Sequence, residues 1–547
     1  MNYQKLADIL YPNAQNADQI EALYPPRNLP DGAEVTRFAP SPTGALHIGH
    51  FFQTLCDSFI AKKSGGVFYF RIEDTDKKRE VKGSVENTIK TLTDFGIEYD
   101  EGVSLNGEIG AYGPYRQSER KHIYEAFAKK LVASGRAYPC FCEKAENFEE
   151  IEDKRADLLE EAATLDQVDP CRNLTIAEVE ENLKNGKAFA LRLKSMGSID
   201  KSFEFIDTVK GKREIRENNK DIVLIKSNGL PVYAFAHAVD DHLMGTTLVV
   251  RGEEWWPSLA AHLEVFDALG FKRIKYAHNP VICKLDNGAK RKLSKRKDPE
   301  ADMRFFLQVG YPTTAIKEYL LNLANSNFEP WRKANPLAPL DDFPFNAQKI
   351  TPSNPMFDFA KLNDTAKTFV SKLSAEQVFQ MAADWAKIYD TEFYEILTKD
   401  AHFTTRVLNI DRETPKPRKD IAKMEDVKNV WGYMFDEIFE TLSYNLDGTN
   451  VENLKEVCKN YLDVVNFTHT KQEWFDAIKE MSARLGYATD NKAYKANPEL
   501  FKGNVALVCE YIRVALTTQK DSPDLFSIIE VLGEEKVKTR LKKILKI

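Results

Sequence analysis

The sequence has no apolar run approaching the ~20 residues a membrane-spanning helix needs. No basic segment followed by an apolar block lies between Met1 and Asn13, so no secretory signal is expected. Cysteine is scarce. Seven in 547 residues, an odd number, do not make a disulfide framework. Gly (26) and Pro (24) stay near average usage, which excludes collagen-like and low-complexity chains. Positive charge is not in excess either: 76 Lys and Arg stand against 83 Asp and Glu, a net of −7. That excludes a uniformly basic nucleic-acid binder but not a local basic face. We read a soluble, cytoplasmic protein with reduced thiols.

What is there is globular. Hydrophobic residues make up 43% and aromatics 11%, enough to fill several cores, and the length implies three or more domains. The charge is segregated. Residues 141–185 hold 14 acids against 5 bases, whereas 284–297 hold seven bases and only Asp286 as an acid. Residues 536–547 carry six bases and no acid.

Along the chain, residues 1–34 are polar and Pro-containing and read as an extension. Val35–Phe38 reads as a strand, about Ile48 to Lys63 as a helix closed by Gly65-Gly66, and Val67–Ile72 as a second strand. Val85, Ile89, Leu92 and Phe95 recur at helical spacing, with Gly96 as the stop. This alternation predicts a parallel α/β sheet. Residues 111–210 carry helical patterns and the acidic stretch. Strands are expected at Ile222–Lys226, Pro231–Phe235 and Thr246–Arg251, and a basic loop at 284–297. Beyond 301 the pattern is almost wholly helical.

The loop Arg37-Phe38-Ala39-Pro40-Ser41-Pro42-Thr43-Gly44-Ala45-Leu46-His47-Ile48-Gly49-His50 joins the first strand to the first helix. In a doubly wound sheet that crevice binds ligands, and the helix N-terminus suits phosphate. His47 and His50, three residues apart, can both face one side and donate to a phosphate as charge builds in a displacement at phosphorus. Gly49 leaves room for a flat base against the backbone. Chance would produce this His-Ile-Gly-His string less than about once per thousand such sequences. The run Lys290-Arg291-Lys292-Leu293-Ser294-Lys295-Arg296-Lys297 on its own reads as well as a solvated loop. Beside the His motif it supplies mobile cations for the outer phosphates of ATP and for pyrophosphate.

Together the two motifs resemble the signatures of the class I aminoacyl-tRNA synthetases, a His-Ile-Gly-His string and a Lys-Met-Ser-Lys-Ser-like loop. Further stretches narrow the resemblance to the glutamyl-tRNA synthetases, bacterial type. These are Phe70-Arg71-Ile72-Glu73-Asp74-Thr75-Asp76, Gly113-Pro114-Tyr115-Arg116-Gln117-Ser118-Glu119-Arg120, Val239-Asp240-Asp241-His242-Leu243-Met244-Gly245 and Val249-Val250-Arg251-Gly252-Glu253-Glu254-Trp255, with Ala515-Leu516-Thr517 and Leu525-Phe526 near the end. The resemblance implies an α/β fold: a Rossmann-like parallel-sheet catalytic domain (35–110 and 211–300) split by an acceptor-end-binding α/β insertion (111–210). A stem-contact domain (301–375) and an all-helical anticodon-binding domain (376–547) follow. It implies ATP-dependent activation of L-glutamate to glutamyl-adenylate, with Mg2+ accompanying ATP, then transfer to the 3′ terminal adenosine of tRNA(Glu). The family generally needs tRNA bound before activation, and it suggests a monomer.

Carried over, Arg37 and Arg251 pair with the glutamate side-chain carboxylate, helped by Tyr233, a pairing that guanidinium geometry favours. Ala39, Ser41 and Glu73 fix the α-groups. Thr43, His47, Gly49, His50, Glu254, Trp255, Lys292, Leu293, Ser294, Lys295 and Arg296 line the ATP site, and Lys292 and Lys295 act on the phosphates. His47, His50, Lys292 and Lys295 are the candidate catalytic set. Without the resemblance, Tyr233 and Trp255 read equally as core aromatics, and Glu73 beside Asp74 and Asp76 as a solvated strand end. His237 stands where the family pattern has Asn in the amino-acid pocket. Cys140, Cys142 and Cys171 resemble the zinc site some members carry in the insertion. The Tyr that those members place four residues before the last Cys is Gln167, which leaves a fourth ligand open.

A glutamine-specific enzyme is disfavoured by Arg251, because a guanidinium prefers a carboxylate to an amide, and by the helical C-terminal half. A truncated paralogue that glutamylates a modified base lacks that half. A small-molecule nucleotidyltransferase has no use for it, and a catalytically dead tRNA-binding protein has no use for intact His and Lys motifs.

Overall fold

A computed structural model of the chain describes residues 1–142 and 169–547. The chain forms two compact units, Met1–Phe305 with Lys317–Asp358, and Phe306–Ile316 with Phe359–Ile547. Most of the acidic stretch, and Gln167, lie outside the described residues.

In the first unit, helices α1 (Tyr3–Leu10) and α2 (Ala17–Glu21) precede strand β1 (Val35–Phe38). Asn2 and Asn16 cap the two helices by accepting from Lys5 N–H and Asp18 N–H. Their apolar faces, Leu6, Ala7, Leu10, Ala17 and Ile20, bury in one core with Ile123, Phe127 and Leu131 of helix α5 (Lys121–Ala133). The expected extension is thus packed through its two helices, while most of 22–34 is exposed. Arg27 ties its end down: the guanidinium makes bidentate bonds to Glu101 (2.7 and 2.8 Å), donates to Met244 O and lies over the Tyr112 ring.

Helix α3 (Ile48–Ser64) follows β1 and ends on Gly65 at φ +69°, a left-handed cap that glycine adopts without strain. Strand β2 (Val67–Phe70), helix α4 (Ser84–Asp94), strand β3 (Glu101–Ser104) and strand β4 (Gly107–Ile109) complete the first half. β1 pairs β2 and β2 pairs β3 in parallel, and β4 is antiparallel to β3. The parallel sheet and both helices read from the sequence are present, with strand ends shifted by a residue or two.

Residues 111–225 are richer in strands than the helical patterns of 111–210 suggested. Strand β5 (Ala137–Cys140), helix α6 (Ile176–Lys184), strand β6 (Ala190–Leu193) and strand β9 (Val223–Ile225) surround a separate hairpin, β7 (Ser202–Asp207) with β8 (Gly211–Arg216). β5, β6 and β9 form one antiparallel sheet.

Two expectations are corrected here. Pro231–Phe235 is not a strand, because helix α7 (Tyr233–Leu243) begins at Tyr233 after extended Val232. Phe235, Val239 and Leu243 recur every four residues and are all buried, a helical period that the aromatic and branched residues at the start masked. The basic loop 284–297 contains a hairpin, β12 (Cys283–Asp286) with β13 (Ala289–Lys292). Its turn is Asn287-Gly288, both at positive φ, the arrangement favoured in two-residue hairpins.

Strand β10 (Leu248–Gly252) pairs β11 (Lys275–Asn279) in parallel, with helix α8 (Leu259–Leu269) between them. Thr247 N–H donates to Val35 O at 3.0 Å, so β10 runs beside β1. The carboxyl ends of β1 and β10 therefore lie side by side, one carrying Arg37 and the other Arg251. This is where the sheet's connections turn in opposite directions, the crevice in which such folds bind ligands.

The second unit is helical. Its core gathers Val378, Ala382 and Ala386, Trp431, Leu454, Val457 and Tyr461, Val508, Ile512 and Leu516, and Val537 and Leu541. Among the described residues no helix is long and apolar enough to cross a membrane.

Candidate active site

His47 is the N-cap of α3 rather than a member of its first turn. Its Nδ1 accepts from Gly49 N–H at 2.9 Å, and its Nε2 stands 3.2 Å from Leu293 O. One nitrogen accepts and the other faces an acceptor, which fixes a neutral imidazole with the proton on Nε2. Burial, with His50 and Lys295 nearby, pushes its pKa down to about 4. A Cβ on Gly49 would stand 3.1 Å from His47 Nδ1, so glycine here leaves room for the capping ring. His50 is exposed at the mouth of the cleft, its ring centroid 6.1 Å from that of His47.

The basic segment meets this helix start directly. Lys295 Nζ donates to Ala45 O, and Lys292 Nζ pairs with Glu254 at 3.0 Å. Asp298 holds the loop's shape by accepting from Arg291 (2.5 and 2.8 Å) and from Ser294 N–H (3.0 Å). Leu293 is buried, whereas Lys292, Lys295 and Arg296 are exposed, as are Ser41 and Thr43 across the cleft. Ala39 is half-buried after β1. Cations are thus mustered over a helix N-terminus, where phosphate oxygens gain from both.

Behind the cleft lies a buried charge network. Asp241 is its centre: Oδ1 accepts from Arg71 at 2.6 Å and Oδ2 from Arg37 at 3.2 Å. Burial opposes ionisation of Asp241, but Arg71 and Arg37 hold its pKa well below the ordinary value. Glu73 pairs with Arg71 at 3.0 Å, and burial raises its pKa despite that partner. Arg37 reaches Tyr233 OH at 3.5 Å. Tyr233 packs against Trp255 (4.4 Å between rings) and stacks on His237 (5.3 Å, 1°).

His237 is fully buried. Its Nε2 lies 2.8 Å from Tyr276 OH and its Nδ1 2.6 Å from Asp241 Oδ2, so both ring nitrogens face protein groups. Burial pushes its pKa down to about 4, against Asp241. Arg251 is buried beside it and bonds to two imidazoles, His278 and His262. The structure thus gathers Arg37, Glu73, Tyr233, His237 and Arg251 on one side and His47, Gly49, Lys292, Leu293 and Lys295 on the other. Sequence reasoning gave no role to Asp241, Arg71, Asp240, His262 or His278. The first three stood inside quoted motifs, but only the tertiary structure pairs them.

A second cluster lies apart, in the insertion. Cys140, Cys142, Cys171 and Asp169 place one ligand atom each within 4.8 Å of one another. Asp169 caps the short turn Pro170–Asn173 and supplies the fourth donor that the cysteines lacked. The Cys142 and Cys171 sulfurs are 3.6 Å apart, near the edge of about 3.8 Å for a tetrahedron with Zn–S of about 2.3 Å.

In the second unit, Trp474, Phe475, Arg418, Arg513 and Lys471 line a cavity of about 780 Å3.

A strand–loop–helix that caps itself with histidine and meets a lysine loop, over a parallel sheet, defines the class I tRNA synthetase catalytic fold. Residues 34–329 match the family "tRNA synthetases class I (E and Q), catalytic domain", and residues 418–545 match the "Anticodon binding domain". Curated relatives share the whole length. The glutamate–tRNA ligases of Acetivibrio thermocellus and Clostridium perfringens are 43% and 44% identical over 100% of both chains, and that of Sorangium cellulosum is 39% identical over 97% of this chain and 98% of its own. The solved glutamate–tRNA synthetase of Elizabethkingia anophelis superposes with a TM-score of 0.70 at 25% identity, covering 94% of this chain and 100% of that one. The chain belongs to the glutamate–tRNA ligase family.

Proposed function

We propose that the chain joins L-glutamate to the 3′ terminal adenosine of tRNA(Glu) at the expense of ATP. In the first step a glutamate α-carboxylate oxygen attacks the α-phosphorus. The bond to glutamate forms as the bond to pyrophosphate breaks. In the second, the terminal ribose hydroxyl attacks the activated carbonyl and gives up its proton as the new ester forms, and AMP leaves with the electron pair of the broken acyl–phosphate anhydride bond. Mg2+ enters as the counter-ion of ATP.

The observation that carries this reading is the meeting of two segments 246 residues apart, at the contact of His47 Nε2 with Leu293 O. It supports one site in which an N-cap imidazole and the lysines of the basic loop attend the same phosphates. Neutral His47 donates from Nε2. When ATP enters, that proton and the ammonium of Lys295 exchange backbone carbonyls for phosphate oxygens. Charge that develops on the α-phosphate and on leaving pyrophosphate is then stabilised by groups already in place. Arg37, Tyr233 and Arg251 take the side chain of glutamate, and Glu73 takes its ammonium. His237 orients Asp241 from behind Tyr233.

The four donors of the insertion fit zinc, which when bound supplies structural cross-linking there. Cys140, Cys142, Asp169 and Cys171 would hold it. The cavity of the second unit suits a nucleobase of the anticodon loop, with Trp474 and Phe475 for stacking and Arg418 and Arg513 for phosphate or base edges. The test is ATP–pyrophosphate exchange with glutamate and tRNA(Glu), set against glutamine.

A further inference from the structure

Three arginines serve the amino-acid side of the cleft, and they are not equivalent. Arg71 is neutralised by Asp241 and Glu73, and Arg37 shares Asp241. Arg251 is only 3% exposed, yet no ion pair reaches it among the described residues. Its Nε donates to His278 Nε2 at 3.0 Å and its Nη1 meets His262 Nδ1 at 2.9 Å. Tyr276 lies under the guanidinium at 4.6 Å, and Nη2 has no partner. Burying a cation without a counter-ion is costly. A protein keeps such a group where a ligand completes it.

The partners are chosen so as not to complete it. An imidazole can accept from a guanidinium N–H only when it is neutral. His278 is held in that form from the far side. Its Nδ1 stands 2.6 Å from Asp207 Oδ2, so the proton sits on Nδ1 and the lone pair on Nε2 faces Arg251. Asp207 in turn is fixed by Val209 N–H (2.9 Å), Lys210 N–H (2.8 Å) and His278 N–H (3.2 Å), at the turn of the β7–β8 hairpin. Trp256 closes edge-on against the His278 ring at 4.9 Å. Two of the arginine's N–H groups are therefore satisfied by uncharged acceptors, and its positive charge remains whole.

We propose that His278, His262 and Asp207 are positioning residues that present Arg251 as an uncompensated cation and thereby set the preference for a substrate side-chain carboxylate over an amide. This rests on the reading that Arg251 receives the glutamate side chain. A carboxylate in place of either imidazole would satisfy the same N–H groups but cancel the charge. The pocket would then lose its advantage for glutamate while remaining able to hydrogen-bond an amide.

The experiment is charging of tRNA(Glu) by the full chain, reading the KM for glutamate, the inhibition constant of glutamine as a competitor, and the KM for ATP. In His278→Glu we expect the glutamate KM to rise at least about 30-fold. The glutamine constant should change less than about 3-fold, and the ATP KM should not move. His278→Gln keeps a neutral acceptor and should stay near the parent. His262→Glu repeats the test from the other imidazole should the first variant fail to fold. Equal losses for glutamate and glutamine in both Glu variants, or no loss in either, would overturn the proposal. Arg251→Met runs alongside: if it leaves the glutamate KM unchanged, the underlying reading of Arg251 falls and takes the proposal with it. If it raises that KM while His278→Glu does not, the proposal alone falls.

Discussion

Acid should cost the catalytic unit stability through a histidine buried in its neutral form, and His237 is the residue to follow. It is fully buried and its pKa is pushed from 6.5 to about 4. In the unfolded chain it takes up a proton below pH 6.5, whereas in the native state it does not. The unfolded state therefore binds more protons, and stability falls as pH falls from 6.5 toward 4. The slope for one such group is about 1.4 kcal/mol per pH unit, so moving from pH 7 to pH 5 costs about 2 kcal/mol. Asp241, held well below its ordinary value, adds its own loss only at lower pH, outside this window. The assay is calorimetry of the full chain at pH 7 and pH 5, because two compact units need not unfold together. The transition that ATP raises belongs to the catalytic unit. His237→Asn removes the titrating ring. Its stability at pH 7 shifts by whatever the lost contacts cost, but its loss between pH 7 and pH 5 should be smaller than the parent's by about 2 kcal/mol. Identical pH dependence in the two proteins would refute the buried, neutral histidine.

Other expectations follow from the same geometry. Purified without chelator, the parent should carry about one zinc per chain by elemental analysis and Asp169→Ala far less; a zinc-free parent removes that site. Arg27→Ala leaves the half-buried Glu101 with Tyr115 OH as its remaining side-chain partner (2.7 Å) and should cost about 2 kcal/mol in the ATP-sensitive transition; a change under about 0.5 kcal/mol would mean that Arg27 does not anchor the N-terminal segment. His47→Ala and Lys295→Ala should lower turnover about 100-fold or more while the glutamate KM stays within about 3-fold; the opposite pattern would move both residues off the phosphates.

Local patterns were legible where one element carried them. The first strand, the helix after it with its Gly65 stop, and the two signature loops stand in the sequence because capping, period and residue type are local properties. The Pro231–Phe235 stretch misled because a branched and aromatic start resembles a strand until Val239 and Leu243 reveal a four-residue period. The 284–297 hairpin carries its own signal in Asn287-Gly288, masked by surrounding lysines that read as a solvated loop. What no local pattern could give was partnership. Arg71 meets Asp241 across 170 residues and His278 meets Asp207 across 71. Cys140 finds Asp169 from across residues with no shared spacing. The charge balance of each arginine is set by such distant pairs.

The central claim is tested most directly by ATP–pyrophosphate exchange. The account predicts label entering ATP only when L-glutamate and tRNA(Glu) are both present, with glutamine inert. Exchange supported by glutamine and not by glutamate would contradict it.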